Sequence, residues 1–191
     1  MESIAALDTQ VFFFLNGLHT TWLDPIMYYL TNTLTSLPVY ILIIYLLFKK
    51  FRSKIWIPLI CIIACIALTD QITSGIMKPA FARLRPTHEP LLAEKVHTVN
   101  NYKGGRFGFA SSHAANTFGI AMFTFLLFRN QYRTIGLLFI WAGLISYTRI
   151  YLGVHYPGDI LVGAGIGLVC GLILSKIFKA VSQRLAITNT K

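Results

Sequence analysis

The chain has 191 residues, 55% of them hydrophobic and 13% charged, with a mean hydropathy of +0.62. Soluble domains carry about a quarter charged residues, so this composition excludes an ordinary soluble enzyme and indicates a single polytopic membrane domain over 1–191. The net charge of +10 does not indicate nucleic acid as a partner, because the cations fall in short runs at the ends of apolar segments.

Residues 4–18 place Ile4, Leu7, Val11, Leu15 and Leu18 at helical spacing, which predicts a short interfacial helix lying on the membrane. The first twenty residues hold no Lys or Arg, so a cleavable signal peptide is not expected. A first span is predicted from about Asp24 to Phe48, kinked at Pro38. It ends in the basic run Lys49-Lys50-Phe51-Arg52-Ser53-Lys54. A second span runs from Ile55 to Met77, with Asp70, Ser74 and Lys78 four residues apart on one face. Residues 79–109 form a long polar outer loop, of a length that is usually functional or disordered. The third span starts at Ser111-Ser112-His113 and reaches Phe128, and the fourth covers about Thr134 to Leu152. The fifth runs from Gly158 to about Phe178, with Gly163, Gly167 and Gly171 spaced for close helix approach. A basic amphipathic tail follows from Lys176 to Lys191. Cys61, Cys65 and Cys170 all lie in apolar runs and are expected to pack as small hydrophobes. The fold class expected is all-α: a bundle of about five transmembrane helices plus the interfacial helix.

Ten of the 17 Lys and Arg lie in the 49–54 loop, the 129–133 turn and the C-terminal tail. The positive-inside rule puts those segments in the cytoplasm and the N-terminus outside. The same alternation brings the end of span two, the start of span three, the end of span four and the start of span five to the outer face.

Those four ends carry three clusters. Lys78 is followed after six residues by Arg85-Pro86; Ser111-Ser112-His113 opens span three; Arg149, His155 and Asp159 surround the corner between spans four and five. The last cluster alone reads equally well as a structural ion-pair corner, with Pro157 in the first turn of a helix. Together, three cations, two histidines, a carboxylate and a serine-rich helix start describe a phosphate site. The cations suit phosphate oxygens, and the helix start adds backbone N–H groups. Two histidines allow one to attack phosphorus and the other to protonate the leaving group. An aspartate beside the nucleophile would hold its tautomer.

In these motifs the chain resembles the type 2 phosphatidic acid phosphatase superfamily, whose signature is Lys-x6-Arg-Pro, Pro-Ser-Gly-His and Ser-Arg-x5-His-x3-Asp. Here the three parts read K-PAFARL-RP, ASSH and TR-IYLGV-H-YPG-D. The resemblance covers roughly 55–175, and Ala110, Ser112 and Thr148 depart from the pattern. It implies a metal-independent phosphatase without a cofactor. His155 would be the nucleophile, Asp159 its orienting partner and His113 the general acid. Lys78, Arg85, Arg149, Ser111 and Ser112 would hold the phosphate. Soluble haloperoxidases share the signature but not five spans.

The implied substrate is a phosphorylated lipid: undecaprenyl pyrophosphate, phosphatidylglycerophosphate, phosphatidic acid or a lipid A phosphate. The compact chain favours a small-headgroup or pyrophosphate lipid. Such an enzyme would sit in an inner membrane with its site facing outward and no obligate protein partner. Transfer of the phosphoryl group to a second lipid uses the same residues, and an anion transporter is a third reading. The transporter would spread charges through the bilayer depth, whereas here only Asp70 lies deep. Asp70 is either a partner for Lys78 or a buried structural group. Arg83 is either a substrate contact or a solvated loop cation, and Arg106 is read as the latter. His19, His88 and His97 match no signature position, and Trp141 is read as a packing aromatic.

Overall fold

Pro38 starts a helix in place of kinking one. In the computed structural model, which describes residues 2–185, the predicted first span divides in two. Helix α2 covers Leu23–Leu30, a 3-10 turn covers Thr33–Ser36, and α3 covers Leu37–Phe51 with Pro38 in its first turn. Proline costs little there, since the first-turn N–H groups have no acceptor within the helix. The Asn32 side chain accepts from Leu34 N–H and caps the turn. Residues 186–191, which include Lys191 of the predicted tail, lie outside the described residues.

Helix α1 (Glu2–Asn16) turns its apolar stripe away from the protein: Ile4, Leu7 and Val11 are exposed. The adjoining face carries Asp8, Phe12 and Asn16 at four-residue intervals, and the last two are buried. A helix that offers hydrocarbon outward and anchors inward fits the membrane interface. Asn16 Nδ2 donates to His97, Ile150 and Tyr151 carbonyls, tying α1 to the outer loop and to the end of α7 (Leu137–Tyr151).

Helix α4 (Trp56–Asp70) passes through a π-helical stretch, Gln71–Met77, into α5 (Lys78–Phe81), so the second span continues past Lys78. The last two long helices are α6 (Ser112–Phe128) and α8 (Pro157–Arg184), the latter absorbing Lys176, Lys179 and Arg184 of the predicted tail. Among the described residues four helical segments are long and apolar enough to cross a membrane, and α6 is a shorter apolar fifth. The result is a helical membrane bundle.

Helix α6 sits at the centre, packed on α8, α7 and α4. The main core joins Ile43, Leu47 and Phe51 of α3 to Cys61, Cys65, Ile120, Phe123 and Phe178. All three cysteines are free and buried, as their apolar runs predict. Trp141 Nε1 donates to Ser36 Oγ at 3.3 Å, so it secures α7 against the start of α3. Ile41, Ile44, Ile60, Ile63, Leu161 and Val169 form part of an exposed apolar belt suited to lipid.

The α6–α8 contact depends on the glycine ladder. A Cβ at Gly167 would run into the Ala115 carbonyl and lie 2.9 Å from Gly119 N, and one at Gly171 would lie 3.1 Å from Phe123 N. Backbone cannot yield as a side-chain tip can, so Gly167→Val is expected to cost about 1–3 kcal/mol of stability. A lowered melting temperature in detergent would show it. An unchanged one would mean that the helices do not need this approach.

Candidate active site

Each signature cluster is delivered by a local device. Gly153, at φ +73°, turns the chain sharply after α7. The N–H groups of Val154 and His155 then fold back onto the Arg149 carbonyl, at 3.0 and 3.2 Å. This closure explains the five-residue spacing between Arg149 and His155. Asp159 lies in the first turn of α8, where its Oδ2 accepts from Tyr156 N–H at 3.1 Å. The same oxygen faces His155 Nδ1 at 3.2 Å. An ionised carboxylate favours the proton on Nδ1, leaving Nε2 with its lone pair.

The dyad is sealed from behind. His155 is 1% exposed and Asp159 fully buried. Burial first, then the positive charges of Arg85, Arg149, Lys78 and Arg83, hold the His155 imidazole well below the ordinary histidine value. Gly108 lies flat against the pair: a Cβ there would come 3.0 Å from Asp159 Oδ2 and 3.5 Å from His155 Nδ1. The outer loop is therefore a cover for the dyad, held by Arg85 N–H on the Arg106 carbonyl and Gly108 N–H on the Arg83 carbonyl.

Arg149, 2% exposed, donates to Thr31 Oγ1 at 2.6 Å and to Tyr102 OH at 3.0 Å, while its Nε is buried without a partner. Arg85 Nε donates to the Phe107 carbonyl. Burial, and next the charge of Arg149, lower the Arg85 pKa, so these cations are held together at a cost. Lys78 donates to Ser74 and Ser112 hydroxyls at 2.9 and 2.8 Å. Among the described residues no carboxylate forms an ion pair with Lys78, Arg85 or Arg149. Crowded cations without counter-charge make a receptor for an anion.

Ser111 and Ser112 divide differently from their equal listing in the motif. Ser111 N–H donates to the Asp159 carbonyl at 3.0 Å, and its hydroxyl caps Ala114 N–H. Its N–H is thus engaged within the protein, while its hydroxyl accepts there and keeps its own proton to donate. The backbone N–H groups of Ser112 and His113 are left at the helix start without intrahelical acceptors. The Ser112 hydroxyl meets Thr73, Ser74 and Lys78, each at 2.8 Å. In place of the glycine of the family pattern, it links the lysine to the helix start.

Arg83 joins the dyad to helix α1. Nη1 donates to Asp159 Oδ1 at 2.9 Å, Nη2 to Asp8 Oδ2 at 2.7 Å, and its guanidinium lies 3.9 Å from the Tyr156 ring centre. Asp8 also accepts from Gly158 N–H at 2.8 Å, so the interfacial helix is pinned to the dyad. Asp70 is exposed and accepts from Ser74, itself bonded to Lys78. It is therefore linked to the lysine and is not a buried structural group. Arg106 is exposed, as expected. His97 stacks on His19 and meets Asp24 at 2.9 Å, bracing the α1–α2 turn. Asp8, Thr31, Tyr102 and Gly108 escaped the sequence reading. Only Asp8 had a signal, as an acid at the edge of the apolar stripe of α1.

His113 opens onto a cavity of about 400 Å³ lined by Tyr40, Ile43, Ile62, Ile66 and Ile120, between α3, α4 and α6. Among the described residues no group of three or more His, Cys, Asp or Glu could hold a metal ion.

The PAP2 superfamily matches residues 58–183. A lipid A 4'-phosphatase of Bacteroides thetaiotaomicron is 40% identical over 190 residues, covering 97% of this chain and 83% of the relative. One from Porphyromonas gingivalis is 35% identical, covering 93% and 75%. Among solved structures, Aquifex aeolicus LpxE superposes with a TM-score of 0.64 at 28% identity, covering 89% of this chain and 95% of that one. A Bacillus subtilis phosphatidylglycerolphosphate phosphatase shares the fold, with a TM-score of 0.68 at 21% identity, covering 95% and 89%. The chain belongs to the PAP2 superfamily and is a membrane lipid phosphatase.

Proposed function

We propose that this phosphatase removes a phosphate, the 4' group by likeness to its relatives, from a lipid A-type glycolipid, through a phosphohistidine on His155. The observation that carries the phosphate chemistry is the set of three cations without carboxylate partners around a neutral, oriented imidazole. Lys78, Arg85, Arg149 and the N–H groups of Ser112 and His113 bind the phosphate oxygens. His155 Nε2 attacks phosphorus while the bond to the sugar oxygen breaks, and His113 protonates that oxygen as it leaves. Asp159 stabilises the imidazolium character that develops on His155. Water then attacks the phosphohistidine, giving up its proton to His113, and inorganic phosphate departs. Electrostatic preorganisation supplies most of the acceleration, as phosphoryl transfer requires.

The glycolipid reading rests on the relatives named for lipid A, which span nearly all of this chain. It is favoured over the pyrophosphate lipid suggested by the compact chain, since a relative named for that substrate, an undecaprenyl-diphosphatase of Bacillus subtilis, is 27% identical. By the charge bias of the loops, the site faces the non-cytoplasmic side of an inner membrane, with the N-terminus outside and the C-terminus in the cytoplasm. The headgroup then meets water while acyl chains remain in the bilayer, and the cavity beside His113 admits hydrocarbon.

The test is phosphate release by purified protein in detergent from bisphosphorylated lipid A, phosphatidic acid, phosphatidylglycerophosphate and undecaprenyl pyrophosphate, each with EDTA present. Lipid A is expected to lead in kcat/KM by about tenfold or more. Faster release from undecaprenyl pyrophosphate would overturn the glycolipid reading.

A further inference from the structure

The cavity beside His113 is mostly apolar, with one amide set into it. Asn116 lies one helical turn deeper than His113, on the same face of α6, and both line the cavity. The turn corresponds to about 5 Å of depth. Asn116 Oδ1 accepts from the Thr69 hydroxyl at 2.5 Å, and Thr69 is fully buried on α4. The Thr69 hydroxyl also reaches the Cys65 and Ile66 carbonyls, at 2.8 and 3.0 Å, and with Oδ1 turned to Thr69 the NH2 end of the amide is left for the cavity. Ile43, Ile62, Ile66 and Ile120 on the lining offer no acceptor, and the neighbouring Thr117 hydroxyl is turned back onto the His113 carbonyl. The hydroxyls of Thr31, Thr33, Ser36 and Tyr40, also on the lining, make no hydrogen bond to the amide. An amide donor beside hydrocarbon costs free energy unless a ligand supplies an acceptor.

When the phosphate lies between His113 and His155, the part of the lipid about one turn deeper is where its hydrocarbon chains are joined on. We infer that Asn116 donates a hydrogen bond to an acyl carbonyl there. The site thereby selects phosphorylated lipids with ester- or amide-linked acyl chains near the phosphate, and discriminates against polyprenyl phosphates, whose chain offers no carbonyl. This rests on the phosphate position proposed above but not on the identity of the sugar headgroup. A site built to donate to a substrate oxygen rejects the analogue that lacks it, because the donor is then left unpaired.

The test compares diacyl phosphatidic acid with its dialkyl ether counterpart of equal chain length, in the same mixed micelles. The two differ only in the carbonyls. Wild type is expected to prefer the diacyl lipid by about tenfold in kcat/KM. In Asn116→Leu the ratio is expected to fall to about one, through loss on the diacyl lipid alone. The ratio is internal to each preparation, so the yield of folded protein does not affect it. If Asn116→Leu does not accumulate, Thr69→Val, which releases the amide from its anchor, should lower the ratio by the same route. Equal wild-type rates on the two lipids would overturn the inference, as would absence of turnover on both. A preference that survives in the variant, or a variant that slows both lipids alike, would do the same. Failure of the lipid A reading is seen separately, as absent phosphate release from lipid A by wild type while the ester-to-ether ratio holds.

Discussion

Replacing His155 by alanine is expected to lower phosphate release by about 10⁴-fold or more, since loss of a covalent nucleophile removes the reaction path and leaves only binding and charge stabilisation. The side chain is 1% exposed, and its Nδ1 partner, Asp159, retains bonds from Arg83 and Tyr156. The variant should therefore fold. Acid-quenched protein, after brief exposure to a radiolabelled lipid phosphate, should carry label in wild type and none in His155→Ala. Activity within tenfold of wild type would end the phosphohistidine mechanism. The pH profile follows from the same geometry. Because burial and nearby cations depress the His155 pKa, the free enzyme keeps a neutral imidazole as pH falls. The acid limb of kcat/KM should therefore lie below the ordinary histidine value of 6.5.

Asp159→Asn is expected to lower kcat by about 10²- to 10⁴-fold with little change in KM. Oδ2 receives Tyr156 N–H and faces His155 Nδ1, while Oδ1 receives Arg83. An amide NH2 in the Oδ2 position would oppose the Tyr156 donor and make Nδ1 an acceptor, which moves the imidazole proton onto Nε2 and blocks attack. In the Oδ1 position it would oppose the Arg83 guanidinium, which keeps Asp8 as a partner. Neither orientation preserves the full arrangement. Arg83→Met should give a milder loss in kcat of about tenfold, again with KM nearly unchanged, because Arg83 acts through Asp159. A rise in KM without a fall in kcat would instead make Arg83 a substrate contact.

The candidate site was legible because its spacing is local chemistry. Arg149 and His155 sit on either side of one turn that closes on the Arg149 carbonyl. His155 and Asp159 are four residues apart across a helix start. Periodicity and hydropathy located the long apolar helices for the same reason: each must satisfy its own backbone in hydrocarbon. The break at Thr33–Ser36 was hidden because proline in a helix interior and proline at a helix start look alike in an apolar run. The division of labour between Ser111 and Ser112 was hidden too. Adjacent residues at a helix start point in different directions, and only their neighbours reveal which polar group remains free.

The amino-acid sequence by itself determined a membrane helix bundle and picked out His113, His155, Asp159, Lys78, Arg85 and Arg149 as the candidate phosphate site, since hydropathy and short spacings are properties of neighbouring residues. The tertiary structure alone decided what surrounds that site. It brought Asp8 of the interfacial helix to Arg83, Gly108 of the outer loop over the dyad, Tyr102 and Thr31 to Arg149, and Thr69 to Asn116. These pairs are far apart in the chain, and no periodicity encodes which helix faces meet. That is set by close packing, with the glycine ladder of α8 drawing in α6 and the helices around it following.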